Sequence, residues 1–571
     1  MEAEIIPFEK RETTKRLAVF DSETDPFAVG RTSIKPFTCG FLELDTGEYT
    51  DFWGDDCFDQ FLTWLARKTA MGERFIIYCH NLGGFDIHLG LLDRMDAGTS
   101  PSIINGRIAV AWIEGQEWRD SFRIFPEALK AIQKDEFDYD LMERNVRAEH
   151  EEKIRLYQRH DCEYLGDLIR EFWSLFGDRP TIGNTAIAVL QARHAFERMN
   201  AKQDRMVRPF FQGGRTQCFL TGVHRGAWKC WDVNGMYSHV MRDFQHPVTA
   251  EPIMSGKLWP ITAFVEWEGE NAGCMGIRRD DGSLDFRETA GRFWSTRHEI
   301  EVGQQTGTIK IKRVIRSLGF REWGSFGEFV EFCAAMKNEA EEAGDKVRRS
   351  IWKRLGNSGY GKFAQDPSRY ERYAYSTGSD SVPDFLADCP GSFGFSPRFQ
   401  NGDRIIWGRP APNRFSGFFN VATGASITGA ARAQLFRGLL AARRAAYCDT
   451  DSIVCEGIRE GALDFDAQRL GAWKLEAQGD LWACAGKKLY ALFSSAPSDR
   501  MDERGQFREH VRFEGEDFYC LKKASKGAVL TGGEILKVAQ GGRVWYKSDR
   551  PNFKLDGTVE FVDRCIERTD D

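Results

Sequence analysis

Residues 447–452 read Tyr-Cys-Asp-Thr-Asp-Ser and are followed by the apolar pair Ile453-Val454. This stretch predicts the end of a buried hairpin that carries two carboxylates one residue apart. Such a placement is costly, because burial and a neighbouring like charge both disfavour the charged form of an acid. A compensating cation is therefore expected, and hard divalent cations are the ions that carboxylate oxygens bind.

A third acid precedes the hairpin in the stretch GAWKCWDVNGMYSHVM, residues 226–241. It predicts a strand that ends at Asp232, then a turn and a short helix that carries Tyr237. If this strand lies beside the hairpin, Asp232, Asp449 and Asp451 converge, and a pair of divalent cations offsets their repulsion.

Residues 329–363 predict two helices that are broken near Gly344. On the second helix Lys353, Asn357 and Tyr360 follow the spacing i, i+4, i+7 and share one face. They offer a cation for phosphate, an amide, and a ring that can stack on a base. For an arbitrary helix, a solvated lysine and a core tyrosine would be the better interpretation.

Four more acids occur near the start of the chain. RLAVFDSETDPF predicts a core strand with Asp21 and Glu23 on one side, since strand side chains alternate. RFIIYCHNLGGFDIHLGLLDRM predicts a second strand, a glycine turn and a helix that opens near Asp86, and a later helix places Tyr157 and Asp161 on one face. A single acid at a strand end is usually a cap or turn residue. Together the four match a site for two divalent cations, which can activate water for phosphodiester cleavage.

At D-x-E, N-x-x-G-F-D and Y-x-x-x-D the chain resembles the proofreading 3′→5′ exonuclease domain of family B DNA polymerases. The downstream stretches D-x-x-G-M-Y, K-x-x-x-N-S-x-Y-G and Y-x-D-T-D-S resemble motifs A, B and C of the same family, in the same order. The resemblance covers nearly the whole chain. It implies an α/β and α+β multidomain protein, with an RNase H-like exonuclease domain followed by a right-hand polymerase of palm, fingers and thumb.

The branch of the family follows from Phe211-Gln212-Gly213-Gly214 and Lys488-Leu489-Tyr490, which resemble motifs of protein-primed polymerases from podophages, tectiviruses, linear plasmids and adenoviruses. For Gly213-Gly214 alone, a plain turn would be the better interpretation. The expected organisation is exonuclease 1–178, linker and first palm part 179–254, first terminal-protein-region insertion 255–330, fingers 331–366, second insertion 367–412, palm 413–498 and thumb 499–571.

The resemblance assigns roles to residues at matching positions. The metal ligands would be Asp21, Glu23, Asp86 and Asp161 in the exonuclease, and Asp232, Val233 and Asp451 in the palm, with Asp449 as an accessory acid. Tyr157 would orient the water and Lys134 would assist catalysis. Contacts to the nucleotide would come from Tyr237, which excludes a ribose 2′-hydroxyl, and from Lys337, Lys353, Asn357 and Tyr360. Contacts to DNA would come from Thr24, Asn81, Phe85, Ser121, Phe122, Phe211, Gly213, Gly214, Thr428, Arg432, Lys488, Tyr490 and Lys523.

The chain departs from the family pattern in motif A, where Gly235 replaces the usual serine, Met236 a leucine and Ser238 a proline. These changes predict a looser turn beneath the triphosphate and less strict sugar discrimination. The essential acid and aromatic residue remain, so activity is expected to survive.

Composition is consistent with a nucleic-acid enzyme that is not coated in basic surface. The net charge is −7, but residues 521–554 hold eight lysines and arginines against Glu534 and Asp549, which gives +6. The fourteen cysteines include no C-x-x-C pair, which argues against a zinc knuckle or a disulfide framework. The charged N-terminus and the absence of a long apolar run predict a protein without membrane association, in the host cytoplasm.

The expected enzyme is a DNA-directed DNA polymerase of a virus or mobile element. It would use two Mg²⁺ per active site, with Mn²⁺ as a substitute, and act as a monomer on primer-template DNA and dNTPs, with a terminal protein as primer. Three alternatives stay open: a primer-independent polymerase, a catalytically inert DNA-binding protein on a polymerase fold, and a nuclease that keeps the palm as a clamp.

Overall fold

The computed structural model describes residues 14–26, 34–127, 129, 136–377, 395–401, 403–411, 417–502, 505–525, 527–547, 552–553, 559–560 and 563–569. Lys134 lies outside these residues, as does much of the expected second insertion.

The N-terminal part is a mixed seven-stranded sheet, with strand order β3-β2-β1-β4-β7-β6-β5 and parallel pairing of β1 with β4 and β4 with β7. Its buried strands carry apolar runs such as Phe75–Cys79, as expected for a sheet covered on both faces. Its elements are β1 (Arg16–Thr24), β2 (Pro36–Glu43), β3 (Tyr49–Trp53), α1 (Cys57–Ala70), β4 (Phe75–Cys79), β5 (Ser102–Ile104), β6 (Arg107–Ile113), β7 (Gln116–Asp120) and α2 (Glu151–Phe176). The helix expected near Asp86 is one 3₁₀ turn, Asp86–Leu89, which ends at Gly90 with φ +124°.

A connecting region leads into the centre of the molecule. It comprises α3 (Ile182–Gln191), α4 (Ala201–Val207), β8 (Thr216–Cys218), β9 (Gly222–Val233) and α5 (Met236–Asp243). A separate four-stranded sheet, order β11-β16-β12-β15, follows and lies within the expected first insertion apart from the start of β11, which begins at residue 253. The elements that follow α5 are β10 (His246–Pro247), β11 (Ile253–Ser255), β12 (Thr262–Asn271), β13 (Ile277–Arg278), β14 (Leu284–Asp285), β15 (Ala290–Thr296), α6 (Arg297–Gln305), β16 (Ile309–Gly319) and β17 (Trp323–Gly324).

The predicted break near Gly344 is present, with φ +71° at that glycine. The two helices around it are α7 (Gly327–Glu342) and α8 (Lys346–Ser358), followed by the short α9 (Tyr360–Phe363). Helix α7 thus begins four residues before the expected boundary at 331. Within the expected second insertion the structure shows a three-stranded sheet of β18 (Glu371–Thr377), β19 (Ser396–Asn401) and β20 (Arg404–Pro410). It packs on the N-terminal part, where the Tyr375 hydroxyl donates to the Leu92 carbonyl at 3.2 Å.

The largest sheet has eight antiparallel strands in the order β25-β26-β24-β23-β9-β22-β21-β8. Its C-terminal elements are α10 (Val421–Ala441), β21 (Ala442–Asp449), β22 (Ser452–Ile458), β23 (Trp473–Gly486), β24 (Leu489–Ser494), β25 (His510–Phe513) and β26 (Glu516–Ser525), with α11 (Gly532–Ala539), β27 (Val544–Lys547), β28 (Asn552–Phe553), β29 (Val559–Glu560) and β30 (Asp563–Ile566) beyond them. Strands β25 and β26, expected in the thumb, continue this sheet. Helix α10 is buried along most of its length and packs against α5 and α6.

Thirteen cysteines lie in the described part of the chain, and all are free thiols. None of the described helices combines the length and the apolar character needed to span a membrane.

Candidate active sites

The predicted convergence of acids in the large sheet is present. Strand β9 pairs with β22 so that Asp232 lies opposite Ser452, and the Val233 amide donates to the Asp451 carbonyl at 2.9 Å. Thr450, in the left-handed region at φ +59°, turns the chain between Asp449 and Asp451. The hairpin and the strand ending at Asp232 therefore present their acids at one edge.

Burial and charge repulsion at this edge raise the pKa of Asp232 and of Asp451. Burial and the charges of Asp451 and Glu476 together raise the pKa of Asp232 to about 6, against the opposing effect of Lys474 and Lys522. The pKa of Asp451 is also raised, by burial and by Asp449 and Glu476. A divalent cation would relieve this unfavourable charge, so the donor set fits such an ion. Val233 could contribute only its backbone carbonyl, because its side chain is apolar.

Asp449 contacts hydroxyl groups as well as an ammonium, whereas Asp232 is approached by an ammonium, that of Lys474 at 3.5 Å. One carboxylate oxygen accepts from the hydroxyls of Thr216 at 2.8 Å and Thr450 at 3.1 Å, and the other lies 3.3 Å from the Lys488 ammonium. These contacts support an accessory role.

The predicted nucleotide residues lie on α5, α7, α8 and α9. Tyr237 and Tyr360 are close enough to Asp451 for its charge to act on their hydroxyls. The rings of Tyr237 and Tyr360 stack with centroids 4.0 Å apart and planes at 4°. Lys353 and Asn357 are exposed on α8, and Lys337 is half-buried on α7. The motif A turn, which was expected to be looser than in the family, makes defined contacts. Gly235 adopts φ +53°, and the turn is fastened to the loop at 466–471, where the Asn234 amide donates to the Asp466 carbonyl at 2.9 Å.

The N-terminal sheet carries a second acid cluster. Asp21 and Glu23 at the end of β1 and Asp161 from α2 offer carboxylate oxygens that all lie within 4.8 Å of one another. This set of hard oxygen donors fits a divalent cation. Asp86 is buried beside the cluster, and its carboxylate accepts a hydrogen bond from the Ser22 hydroxyl at 2.7 Å. In the sequence Ser22 lies between Asp21 and Glu23. Burial raises the pKa of Asp86 to about 6.

Tyr157 completes this cluster. Burial raises the pKa of its hydroxyl, as do its hydrogen bond with the Tyr139 hydroxyl at 2.9 Å and the charges of Asp161 and Glu23. The hydroxyl therefore stays neutral across the physiological range. Tyr139 was missed by sequence reasoning, although Phe137 and Tyr139 frame the stretch FDY.

The comparisons with known proteins agree with this geometry. The chain is 40% identical to the DNA-directed DNA polymerase of Enterobacteria phage PRD1, over 98% of this chain and 99% of that one. The chain belongs to the family B DNA polymerases. The model of type B DNA polymerases of organellar and viral origin matches residues 135–385.

Solved structures of the phi29 DNA polymerase share the fold. Its complex with primer-template DNA matches with a TM-score of 0.69 at 18% identity, covering 97% of this chain and 100% of that one. Its complex with primer-template DNA and incoming nucleotides matches with a TM-score of 0.71 at 20% identity, over the same shares. These matches confirm the predicted fold, an exonuclease domain followed by palm, fingers and thumb. The polymerase is DNA-directed, as predicted.

Several residues expected to touch DNA are instead buried. Ser121 has no exposed surface and bonds to the His80 ring at 3.0 Å and the Cys79 carbonyl at 3.3 Å. Thr428 and Arg432 are 4% and 3% exposed on α10. Direct contact of these three side chains with DNA is therefore not supported, because they are buried.

The other predicted DNA contacts lie in varied surroundings. In the exonuclease, Asn81 and Phe85 are partly exposed, as is Phe122, which packs on His80 at 5.6 Å. Thr24 is 8% exposed and donates to the Asp25 carbonyl.

In the palm, Tyr490 packs on Tyr447 with centroids 4.8 Å apart, and the Lys488 amide donates to the Tyr447 hydroxyl at 3.0 Å. Lys523 pairs with Glu509 at 3.0 Å. The C-terminal basic cluster is therefore partly neutralised, since Lys522 also pairs with Glu476.

Glu476 is one of the residues near the palm acids that sequence reasoning missed. Strand β23 pairs with β9 so that Lys474 lies opposite Asp232, and the Lys474 ammonium lies 3.5 Å from that carboxylate. Glu476 follows two residues later and acts on both Asp232 and Asp451 through its charge. The available signal was the stretch Lys474-Leu475-Glu476, because side chains alternate along a strand and its two charged residues therefore share one face.

Proposed function

We propose that this polymerase replicates the DNA of a virus or mobile element from a protein primer, with Mg²⁺ at two separate active sites, one for synthesis and one for 3′→5′ proofreading. The observation that carries the proposal is the presence of two acid clusters on two different sheets. The N-terminal cluster alone would fit a nuclease, and the palm cluster alone would fit a polymerase without proofreading.

At the palm edge, Asp232 and Asp451 would hold the two Mg²⁺ ions, with the Val233 carbonyl. Bound there, such ions neutralise the charge that develops during phosphoryl transfer. The primer 3′-oxygen forms a bond to the α-phosphorus of the dNTP, the bond to the bridging oxygen of the β-phosphate breaks, and pyrophosphate leaves. Lys353 and Asn357 face the incoming nucleotide from α8. The ring of Tyr237, held by its stack on Tyr360, limits the space beside the sugar.

At the N-terminal cluster, Asp21, Glu23 and Asp161 would hold the ions, with Asp86 in support. Ions bound there activate water and stabilise the leaving 3′-oxygen. The neutral Tyr157 hydroxyl is suited to orient that water, because it can both donate and accept a hydrogen bond.

Protein priming is supported by the two inserted sheets, β11-β16-β12-β15 and β18-β20-β19, which occupy the places where the resemblance puts terminal-protein-region insertions. The proposed partners are primer-template DNA, dNTPs and a terminal protein, with the polymerase acting as a monomer in the host cytoplasm.

The test is incorporation of labelled dNTP with Mg²⁺ on three substrates: a primed template, an unprimed circular single strand, and no template. Wild type is compared with Asp451→Ala and Asp161→Ala. Product on the primed template alone, lost in Asp451→Ala, supports an enzyme that needs an external primer. Product on the unprimed circle would replace protein priming with self-priming. Incorporation without hydrolysis of single-stranded DNA would refute the proofreading site.

A further inference from the structure

A buried ion pair joins the first insertion to the palm. Arg432 of α10 and Glu299 of α6 form a bidentate pair with distances of 2.8 and 3.0 Å, and their side chains are 2% and 3% exposed. Glu299 is also held by the capping box of α6, where one carboxylate oxygen accepts from the Thr296 hydroxyl at 2.8 Å. A Cβ at Gly429 would lie 2.2 Å from that hydroxyl oxygen, so the two helices touch closely here. The carboxylate of Glu299 is therefore fixed in position.

The rest of the Arg432 guanidinium bonds to the linker between exonuclease and palm, here residues 212–216. Its Nη1 donates to the carbonyls of Gln212 at 2.6 Å and Gly213 at 2.9 Å. The Gln212 side chain in turn donates to the carbonyls of Gly276 at 3.3 Å and Trp294 at 3.4 Å, both in the first insertion. The insertion thus holds the linker in two ways. It bonds the Gln212 side chain directly, and through Arg432 it holds the Gln212 and Gly213 backbone carbonyls.

The opposite side of the linker contacts the hairpin of motif C. A Cβ at Gly214 would lie 2.9 Å from Thr450, and the Arg215 carbonyl accepts from the Thr450 amide at 2.7 Å. Thr216 donates to Asp449 at 2.8 Å. A shift of the linker would therefore move the turn that carries the palm acids.

We infer that Glu299 is a positioning residue of the polymerase: by orienting Arg432 it fixes the Gln212 and Gly213 carbonyls, and so favours a primer terminus held at the palm over one released to the exonuclease. This inference rests on the proposed proofreading function. A merely structural ion pair would instead stabilise both active sites without changing the balance between them. The balance is therefore the quantity to measure.

The experiment compares wild type with Glu299→Gln and Arg432→Lys, with Glu301→Gln as the matched control. Glu301 lies on the same helix but is 43% exposed and pairs with Arg297 at the surface. One assay measures hydrolysis of a single-stranded oligonucleotide. The other measures the dNTP concentration at which a matched primer passes from net shortening to net extension.

Glu299→Gln and Arg432→Lys are expected to leave single-strand hydrolysis within about twofold of wild type and to raise the dNTP requirement at least about tenfold. Glu299→Gln leaves the buried guanidinium without its charged partner, and Arg432→Lys removes the planar fork that bonds Glu299 and the linker carbonyls together. Glu301→Gln should match wild type. An unchanged dNTP requirement, or an equal loss of both activities, would overturn the inference. If Glu299→Gln does not fold, Glu299→Asp keeps the charge and should raise the dNTP requirement about threefold. An unchanged dNTP requirement in Glu299→Asp would likewise overturn the inference. A wild type that hydrolyses no single-stranded DNA would refute the proofreading function itself.

Discussion

Gly213 and Gly214 of the linker differ in the space around them, which distinguishes a glycine needed for packing from one that merely lies in a turn. A Cβ at Gly214 would lie 2.9 Å from both Cγ2 and Oγ1 of Thr450, whereas a Cβ at Gly213 would meet none of the described heavy atoms within 4 Å. Neither glycine needs the left-handed backbone region. Gly214→Ala should therefore disturb the motif C turn, and Gly213→Ala should not.

The size of the effect follows from the contact. Carbon atoms attract best at about 3.5–4.0 Å, so an alanine at 214 must push Thr450 away by roughly half an ångström or more. Overpacking of this kind costs about 1–3 kcal/mol. Because each 1.36 kcal/mol of barrier is about tenfold in rate, incorporation should slow by about 5- to 150-fold if the displacement reaches Asp449 and Asp451.

The assay is single-turnover incorporation of one dNTP on a primer-template, with hydrolysis of single-stranded DNA as the control for folding. Gly213→Ala should remain within about twofold of wild type, since substitutions away from such contacts usually change stability by no more than about 0.5 kcal/mol. Thr450→Ala should partly rescue Gly214→Ala, because it removes both clashing atoms. Equal rates for the two alanine variants would refute the packing argument.

Three further predictions concern other parts of the molecule. Asp161→Asn should abolish hydrolysis of single-stranded DNA and leave primer extension intact, and parallel loss of extension would contradict two independent sites. Glu476→Gln should raise the Mg²⁺ concentration for half-maximal extension by about tenfold, because it removes a negative charge that acts on both Asp232 and Asp451, without affecting hydrolysis in Mg²⁺ titrations. Burial lowers the pKa of His246 to about 3 and of His298 to about 4, so both stay neutral when folded but take up protons below about 6.5 when unfolded. Stability should therefore fall as the pH drops from about 6.5 towards 4, and His298→Gln should reduce that slope in thermal unfolding scans; an unchanged slope would refute the assignment.

The acids of both sites could be predicted from the sequence because residues close to them in the chain determine where they lie on a strand or helix. An acid that follows an apolar strand must lie at a sheet edge, and alternation places Asp21 and Glu23 on one side. The i, i+4 spacing of Tyr157 and Asp161 likewise fixes one helix face. What the sequence leaves open is which edges meet, and only the pairing of β9 with β22 brings Asp232 to the hairpin.

Glu476 and Thr216 were missed for the same reason. Each acts through a strand neighbour that is distant in the chain, Glu476 through β9 and Thr216 through β21. A lone glutamate in a strand and a lone threonine before one have many possible partners. Their roles depend on register, which is set by the assembled sheet.

Exposure is the other quantity that local patterns do not supply, and Arg432 shows its consequence. On a helix surface an arginine near a primer would be a phosphate contact, but α10 is surrounded by α5, α6 and α9 and buries nearly all of its faces. A buried guanidinium is tolerated only when it is paired and its donors are used. Glu299 and the two linker carbonyls meet that condition, so the same side chain that a motif assigns to DNA can affect DNA only through the backbone that it holds.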